Sequence, residues 1–166
     1  LISYPDLRKV ITAEFVRIAK GIDIDVIAGG ETAGIAYAAF LADKLKKPMI
    51  YVRKQPKGHG KASQVEGVLR KGERVLLVED LVTDGKSKLI FKEGIEACGG
   101  VMEHCLCIFE YYSKQAGLHL AKERLAERGV KLHSLITWDD ILRVGLAKGY
   151  ITEEECDHIL RFLKDF

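Results

Sequence analysis

The stretch VLLVEDLVTDGKS, residues 75–87, decides how the rest of the chain is read. It opens on an unbroken apolar run, and Arg74 to Val78 is the strongest strand signal in the sequence. Two carboxylates, Glu79 and Asp80, follow at the carboxyl end of that strand. The stretch closes on Gly85-Lys86-Ser87, which looks like the tail of an ATP-binding P-loop. The first glycine of G-x-x-x-x-G-K-[ST] would fall at position 80, and that position is Asp80. A carboxylate there repels the polyphosphate that such a loop cradles, so the P-loop reading is excluded.

The same residues suit a different ligand. Carboxylates accept hydrogen bonds, so Glu79 and Asp80 match a cis-diol such as the hydroxyls of a ribose. Thr83 to Ser87 form a short polar turn that opens a helix, whose backbone N–H groups and dipole favour one compact phosphate. The hydroxyls of Thr83 and Ser87 add donors. A diol and a single phosphate together describe a ribose 5-phosphate. A solvated strand–helix turn has a similar composition, and the spacing alone leaves both readings open.

Working outward, Pro5 suits a first helical turn, Ser3 with Asp6 resembles a capping box, and Leu7, Val10, Ile11, Ala13, Phe15, Ile18 and Ala19 make one apolar helical face that ends at Gly21. Ile22 to Ala28 reads as a buried strand closed by Gly29-Gly30, Ala33 to Leu45 as a helix stopped by Lys46-Lys47-Pro48, and Met49 to Val52 as a second strand. Gln55 to Gln64 is a loop, and Val65 opens a short strand. Beyond the central stretch come a helix over Lys86 to Ala97, a strand over Val101 to Phe109, a helix over Ala116 to Arg128 and a strand over Lys131 to Thr137. Two terminal helices follow, Trp138 to Ala147 and Glu153 to Leu163, the latter with Thr152 as N-cap. Strands that alternate with helices predict an α/β fold, a mainly parallel sheet flanked by helices, with its ligand beyond the carboxyl ends of the strands.

Bulk properties narrow the classes. The chain has 166 residues and a formal net charge of +2, enough for one domain and too little basic excess for nucleic-acid binding. No apolar run approaches the roughly 20 residues of a membrane helix, so a cytoplasmic protein with no membrane partner is expected. The four cysteines, Cys98, Cys105, Cys107 and Cys156, form no metal-ligand spacing and read as free thiols in a reducing compartment, with Cys105 and Cys107 on one face of a strand. His104, His119, His133 and His158 read as surface or packing residues, and Trp138 as a packing anchor.

VLLVEDLVTDGKS resembles the phosphoribosyl pyrophosphate signature of the type I phosphoribosyltransferases. Upstream, Arg53-Lys54-Gln55-Pro56-Lys57-Gly58-His59-Gly60 concentrates positive charge on a glycine-bearing loop, and its R-K-x-x-K-x-H-G pattern is similar to the catalytic loop of the orotate phosphoribosyltransferases. A third segment, Ala28-Gly29-Gly30-Glu31-Thr32-Ala33-Gly34, matches the pyrophosphate-facing loop of that family in position.

The resemblance implies transfer of the phosphoribosyl group of phosphoribosyl pyrophosphate to orotate, with Mg²⁺ held mainly by the substrate and no protein metal site. It implies that Glu79 and Asp80 hold the ribose, that the run Leu81, Val82, Thr83, Asp84, Gly85, Lys86 and Ser87 surrounds the phosphate, and that Arg53 and Lys54 bind pyrophosphate. Lys57 and His59 are implied to act, with Glu79 and Asp80, as catalytic residues on a loop that reaches across the interface of a homodimer. Two departures stand beside it. Glu110-Tyr111-Tyr112-Ser113-Lys114 lacks the arginine with which several family members meet the orotate carboxylate. The chain opens at Leu1, so a single phosphoribosyltransferase domain over residues 1–166 is expected, without the family's N-terminal segment. Transfer to another nucleobase, or a regulatory module that senses phosphoribosyl pyrophosphate without catalysis, are the competing readings.

Overall fold

A computed structural model gives the architecture and describes residues 1–55 and 63–165. The elements run α1 (Pro5–Ala19), β1 (Val26–Gly30), α2 (Gly34–Leu45), β2 (Met49–Val52), β3 (Val65–Glu66), β4 (Arg74–Val82), α3 (Lys86–Ala97), β5 (Val101–Glu110), α4 (Leu120–Glu127), β6 (Lys131–Thr137), α5 (Trp138–Lys148) and α6 (Glu153–Lys164). They build a six-stranded sheet in the order β3-β2-β1-β4-β5-β6. Every neighbouring pair is parallel except β2 with β3.

Both faces of the sheet are covered. Phe91 and Ile95 of α3 and Ala121 and Leu125 of α4 pack on Val75, Leu77, Cys105 and Cys107. Ile11 and Phe15 of α1 and Tyr37 and Leu41 of α2 pack on Ile27, Leu76, Val78 and Leu106. Because side chains alternate along a strand, the continuous apolar run of β4 feeds both cores at once. Cys105 and Cys107 share one face, as read, and their thiols are pushed far up by burial. Cys98 is partly exposed rather than buried.

Several boundaries differ from the sequence reading. β4 does not end at Val78 but runs on to Val82, because β5 lies beside it and supplies the partners Cys107, Phe109 and Glu110 for Glu79, Leu81 and Val82. β1 begins only at Val26 and carries Gly29 and Gly30 as strand residues rather than as a stop. The preceding Asp25 turns instead to Arg74, accepting from its Nε and Nη2 at 2.9 Å. The Ser3–Asp6 capping box does not form, since Tyr4 is the N-cap of α1 and no side chain caps it. On α1 only Ile11, Thr12, Phe15 and Ala19 are buried, and Leu7 and Val10 face outward. The helix read from Ala116 starts at Leu120, because Ser113 and Leu118 form an antiparallel bridge and the Ser113 hydroxyl accepts from Ala116 N–H. Residues 56–62, which include Lys57 and His59, lie outside the described residues.

Candidate active site

The strand order places a topological switch between β1 and β4. From β1 the chain moves outward to β2 and β3, then returns to the other flank of β1 as β4 and continues to β5 and β6. Connections that leave in opposite directions open a crevice at the carboxyl ends of the two central strands. A pocket of about 410 Å³ lies there, lined by Glu31, Thr32 and Ala33 after β1, Lys54 after β2, Glu79, Asp80 and Leu81 of β4, Thr83, and Ser87, Lys88 and Phe91 of α3. The peptide bond between Glu31 and Thr32 is cis. A larger groove of about 670 Å³ between α1 and α2 is walled by Arg8, Thr12, Phe40, Asp43 and Lys44, and holds none of the candidate catalytic or substrate-binding residues.

Glu79 is buried at the wall of the pocket. Only 5% of it is exposed, and its carboxylate passes over Gly30. A Cβ at position 30 would sit 1.8 Å from Glu79 Oε1 and 2.8 Å from a ring carbon of Phe91, so a glycine is required for the carboxylate to occupy this place. Burial pushes the Glu79 carboxyl up to about 7, against the pull of Lys88 and with the repulsion of Asp80. Lys88 Nζ lies 3.4 Å from Glu79 Oε2 in an ion pair closed off from solvent, and it donates to Ser87 Oγ at 3.2 Å. Removing one partner of a buried pair of this kind typically costs about 3–5 kcal/mol. Asp80, next along the strand, also lines the pocket, and its charge raises the Tyr37 hydroxyl after burial has done so.

The turn between β4 and α3 is held from outside the pocket. Gly85 sits at φ 78°, a left-handed conformation in which a side chain is strained, and it is the N-cap of α3. Asp84 accepts from the backbone N–H of Lys86 at 3.1 Å and pairs with Lys86 Nζ and Arg124 Nη1, each at 3.0 Å. These contacts hold the Asp84 carboxyl below its ordinary range. Arg124 also donates to the Asp84 carbonyl, tying α4 to the loop. One N–H at the head of α3 is thus already bonded within the chain.

Of the residues expected from sequence, Lys54, Glu79, Asp80, Leu81, Thr83 and Ser87 meet in the pocket. Val82, Asp84, Gly85 and Lys86 support the loop without lining it. Arg53 turns away, its Nε 3.2 Å from Glu66 Oε1 on the edge strand β3. Lys54 is anchored through its backbone N–H, which donates to Glu31 Oε2 at 3.1 Å. Lys88 and Phe91 were not anticipated. Lys88, Phe91, Lys92 and Ile95 fall at helical spacing and all are buried, so a lysine on the apolar stripe of α3 was the available signal.

At the ends of β5 and β6, where the arginine was missed, Phe109, Tyr111 and Trp138 pack edge to face with ring centroids 5.3–5.7 Å apart. Trp138 is a packing residue, as its position predicted. His104 and His133, read as surface or packing residues, pack against each other across β5 and β6, with Nδ1 and Nε2 3.0 Å apart. Among the described residues no group of three or more His, Cys, Asp or Glu could hold a metal ion, and no helix is long and apolar enough to cross a membrane.

Comparison with known proteins agrees with this geometry. The phosphoribosyl transferase domain family matches residues 6–117. An orotate phosphoribosyltransferase of Dinoroseobacter shibae is 47% identical over 170 aligned positions, covering 99% of this chain and 73% of that protein. The crystal structure of orotate phosphoribosyltransferase from Aeropyrum pernix has a TM-score of 0.73 at 30% identity, covering 86% of this chain and 78% of that one. UMP synthase of Leishmania donovani shares the fold with a TM-score of 0.82 at 23% identity, and this chain, matched over 100% of its length, covers 35% of that longer protein.

Proposed function

Since the chain belongs to the phosphoribosyl transferase domain family and, within it, to the orotate phosphoribosyltransferases, we propose that it transfers the phosphoribosyl group of phosphoribosyl pyrophosphate to orotate. The products are orotidine 5′-monophosphate and pyrophosphate, a step of pyrimidine biosynthesis. The observation that carries this reading is the convergence of Glu79, Asp80, Thr83 and Ser87 with Lys54 in one pocket at the switch point of the sheet.

In the reaction, the bond from ribose C1 to the pyrophosphate oxygen breaks and a bond from orotate N1 to C1 forms. Positive charge grows on the sugar ring and negative charge on the leaving group. Glu79 and Asp80 hold the ribose hydroxyls and place negative potential beside the developing oxocarbenium ion. Thr83 and Ser87 donate to the 5′-phosphate. Lys54 faces the pyrophosphate, joined by Lys57, His59 and Arg53 if the guanidinium leaves Glu66. Catalysis is positioning and electrostatics, with no covalent intermediate. Mg²⁺, when bound, would be held mainly by the substrate's own oxygens and would offset negative charge on the leaving pyrophosphate, which suits a hard ion that prefers phosphate ligands. The carboxylates of the pocket fit that arrangement, since Glu79 is already committed to Lys88. A homodimer in the cytoplasm, with the Lys57 and His59 loop covering the neighbouring subunit's pocket, completes the reading.

The test is orotate consumption followed by ultraviolet absorbance. Loss of signal that depends on both phosphoribosyl pyrophosphate and Mg²⁺ is expected. No loss with orotate, but turnover with another nucleobase, would replace orotate as the acceptor, an outcome to which the arginine-free segment Glu110 to Lys114 lends weight. Binding of phosphoribosyl pyrophosphate without turnover of any base would leave a sensing module.

A further inference from the structure

We infer that Lys88 is a positioning residue of the transfer site, a single ammonium that fixes the ribose-side carboxylate of Glu79 and the phosphate-side hydroxyl of Ser87 together. The inference rests on the sugar-phosphate reading above. Lys88 stands in the first turn of α3 with its side chain 8% exposed, 3.4 Å from Glu79 Oε2 and 3.2 Å from Ser87 Oγ. An ammonium only donates, so Ser87 Oγ accepts from it. The Ser87 hydroxyl proton is then left to point into the pocket, where a phosphate oxygen accepts it. On the other side, Lys88 takes one carboxylate oxygen of Glu79, while the second, over Gly30, stays an acceptor for a sugar hydroxyl.

The surroundings leave this task to Lys88. The groups that face Glu79 are Asp80 on its own strand, the buried thiols of Cys105 and Cys107 on β5, and Lys88 on α3, with Glu31 and Lys54 across the pocket. Among the described residues, Lys88 is the cation at ion-pair distance from Glu79. An uncompensated carboxylate in so buried a place would take up a proton and lose half of its accepting capacity. Lys88 pulls Glu79 toward its anionic form and sets its direction.

The experiment is ribose 5-phosphate binding by titration calorimetry from about pH 5.5 to about pH 9, on the unsubstituted protein, Lys88→Met and Lys88→Arg. The ligand's own phosphate titrates identically in all three, so differences between proteins are the readout. Lys88→Met is expected to bind about tenfold more weakly at neutral pH, with its pH midpoint moved up by about one unit, and Lys88→Arg to recover most of the loss. A residue with only a structural role would lower the melting temperature and leave the midpoint in place, and an unmoved midpoint overturns the inference. Should Lys88→Met fail to fold, inorganic phosphate binding is compared between Glu79→Gln and Glu79→Gln/Lys88→Met, which carries no unpaired buried charge. Several-fold weaker binding in the double variant is expected through Ser87, and equal binding overturns the inference. Absence of ribose 5-phosphate binding by the unsubstituted protein would instead refute the sugar-phosphate reading on which it rests.

Discussion

Replacing Gly30 by alanine tests the site through one methyl group. The added Cβ would stand 1.8 Å from Glu79 Oε1, 2.8 Å from Glu79 Cδ and 2.8 Å from Phe91 Cε2. Non-bonded heavy atoms rest about 3.5 Å apart, so the carboxylate must retreat by roughly 1.5 Å or more. Its retreat is blocked by Phe91, which is fully buried, and it strains the ion pair to Lys88. Overpacking of this kind costs about 1–3 kcal/mol, against which the usual gain of alanine over glycine in a strand, about 0.5–1 kcal/mol, is the smaller quantity. For a chain of this size a net loss near 1–2 kcal/mol lowers Tm by about 2–8 °C. Thermal unfolding by circular dichroism measures that, and ribose 5-phosphate calorimetry should show weakened binding in the same protein. Gly21→Ala is the control, since its Cβ would meet only the Ile18 carbonyl oxygen at 3.5 Å, and it should leave both quantities unchanged. A Gly30→Ala protein with parental Tm and parental affinity would refute the placement of Glu79 over Gly30.

Three further outcomes are expected. The double variant Glu79→Gln/Asp80→Asn should lose ribose 5-phosphate binding and turnover together, and unchanged kinetics would remove both carboxylates from the mechanism. His133 is held down to about 4, by burial first and then by His104 and Lys131, so the folded state binds fewer protons than the unfolded state and stability is lost as pH falls from about 6.5 toward 4. His133→Gln should therefore keep about 1–2 kcal/mol more of its neutral-pH stability at about pH 5 than the parent does, read from Tm against pH. Thr152→Ala removes a capping box in which Thr152 Oγ1 accepts from Glu155 N–H at 3.2 Å, and it should cost about 1 kcal/mol, or about 2–4 °C in Tm.

The fold was legible where local chemistry and tertiary structure ask for the same thing. Met49–Val52, Lys86–Ala97 and Lys131–Thr137 were read with the bounds observed, and Thr152 caps α6 as its sequence position announces. Reading failed where a neighbour in space decides. Glu79 and Asp80 do not look like strand residues, yet β5 runs on beside them and pairs Cys107 with Glu79, so β4 continues. Gly29 and Gly30 look like a stop, yet they are strand because they pair with Tyr51 and Val52 of β2, and Gly30 leaves room for the Glu79 carboxylate of β4.

The same distinction runs through the site. The acidic pair and the hydroxyls of Thr83 and Ser87 are contiguous in sequence, so one strand and one turn place them, and short-range reasoning suffices to group them. Their inequivalence is not contiguous. Glu79 and Asp80 read as twins and both line the pocket, but Glu79 is 5% exposed while Asp80 is only partly buried. Glu79 is raised to about 7 by burial and tied to Lys88. The sequence did hold a trace of this, since the stripe that buries Phe91 and Ile95 also carries Lys88 and Lys92. Lys92 finds the Met102 carbonyl at 2.7 Å and Glu96 at 2.6 Å, which closes its account within the scaffold. Lys88 finds two groups that both line the pocket, which sets it apart from a buried lysine that serves the scaffold alone.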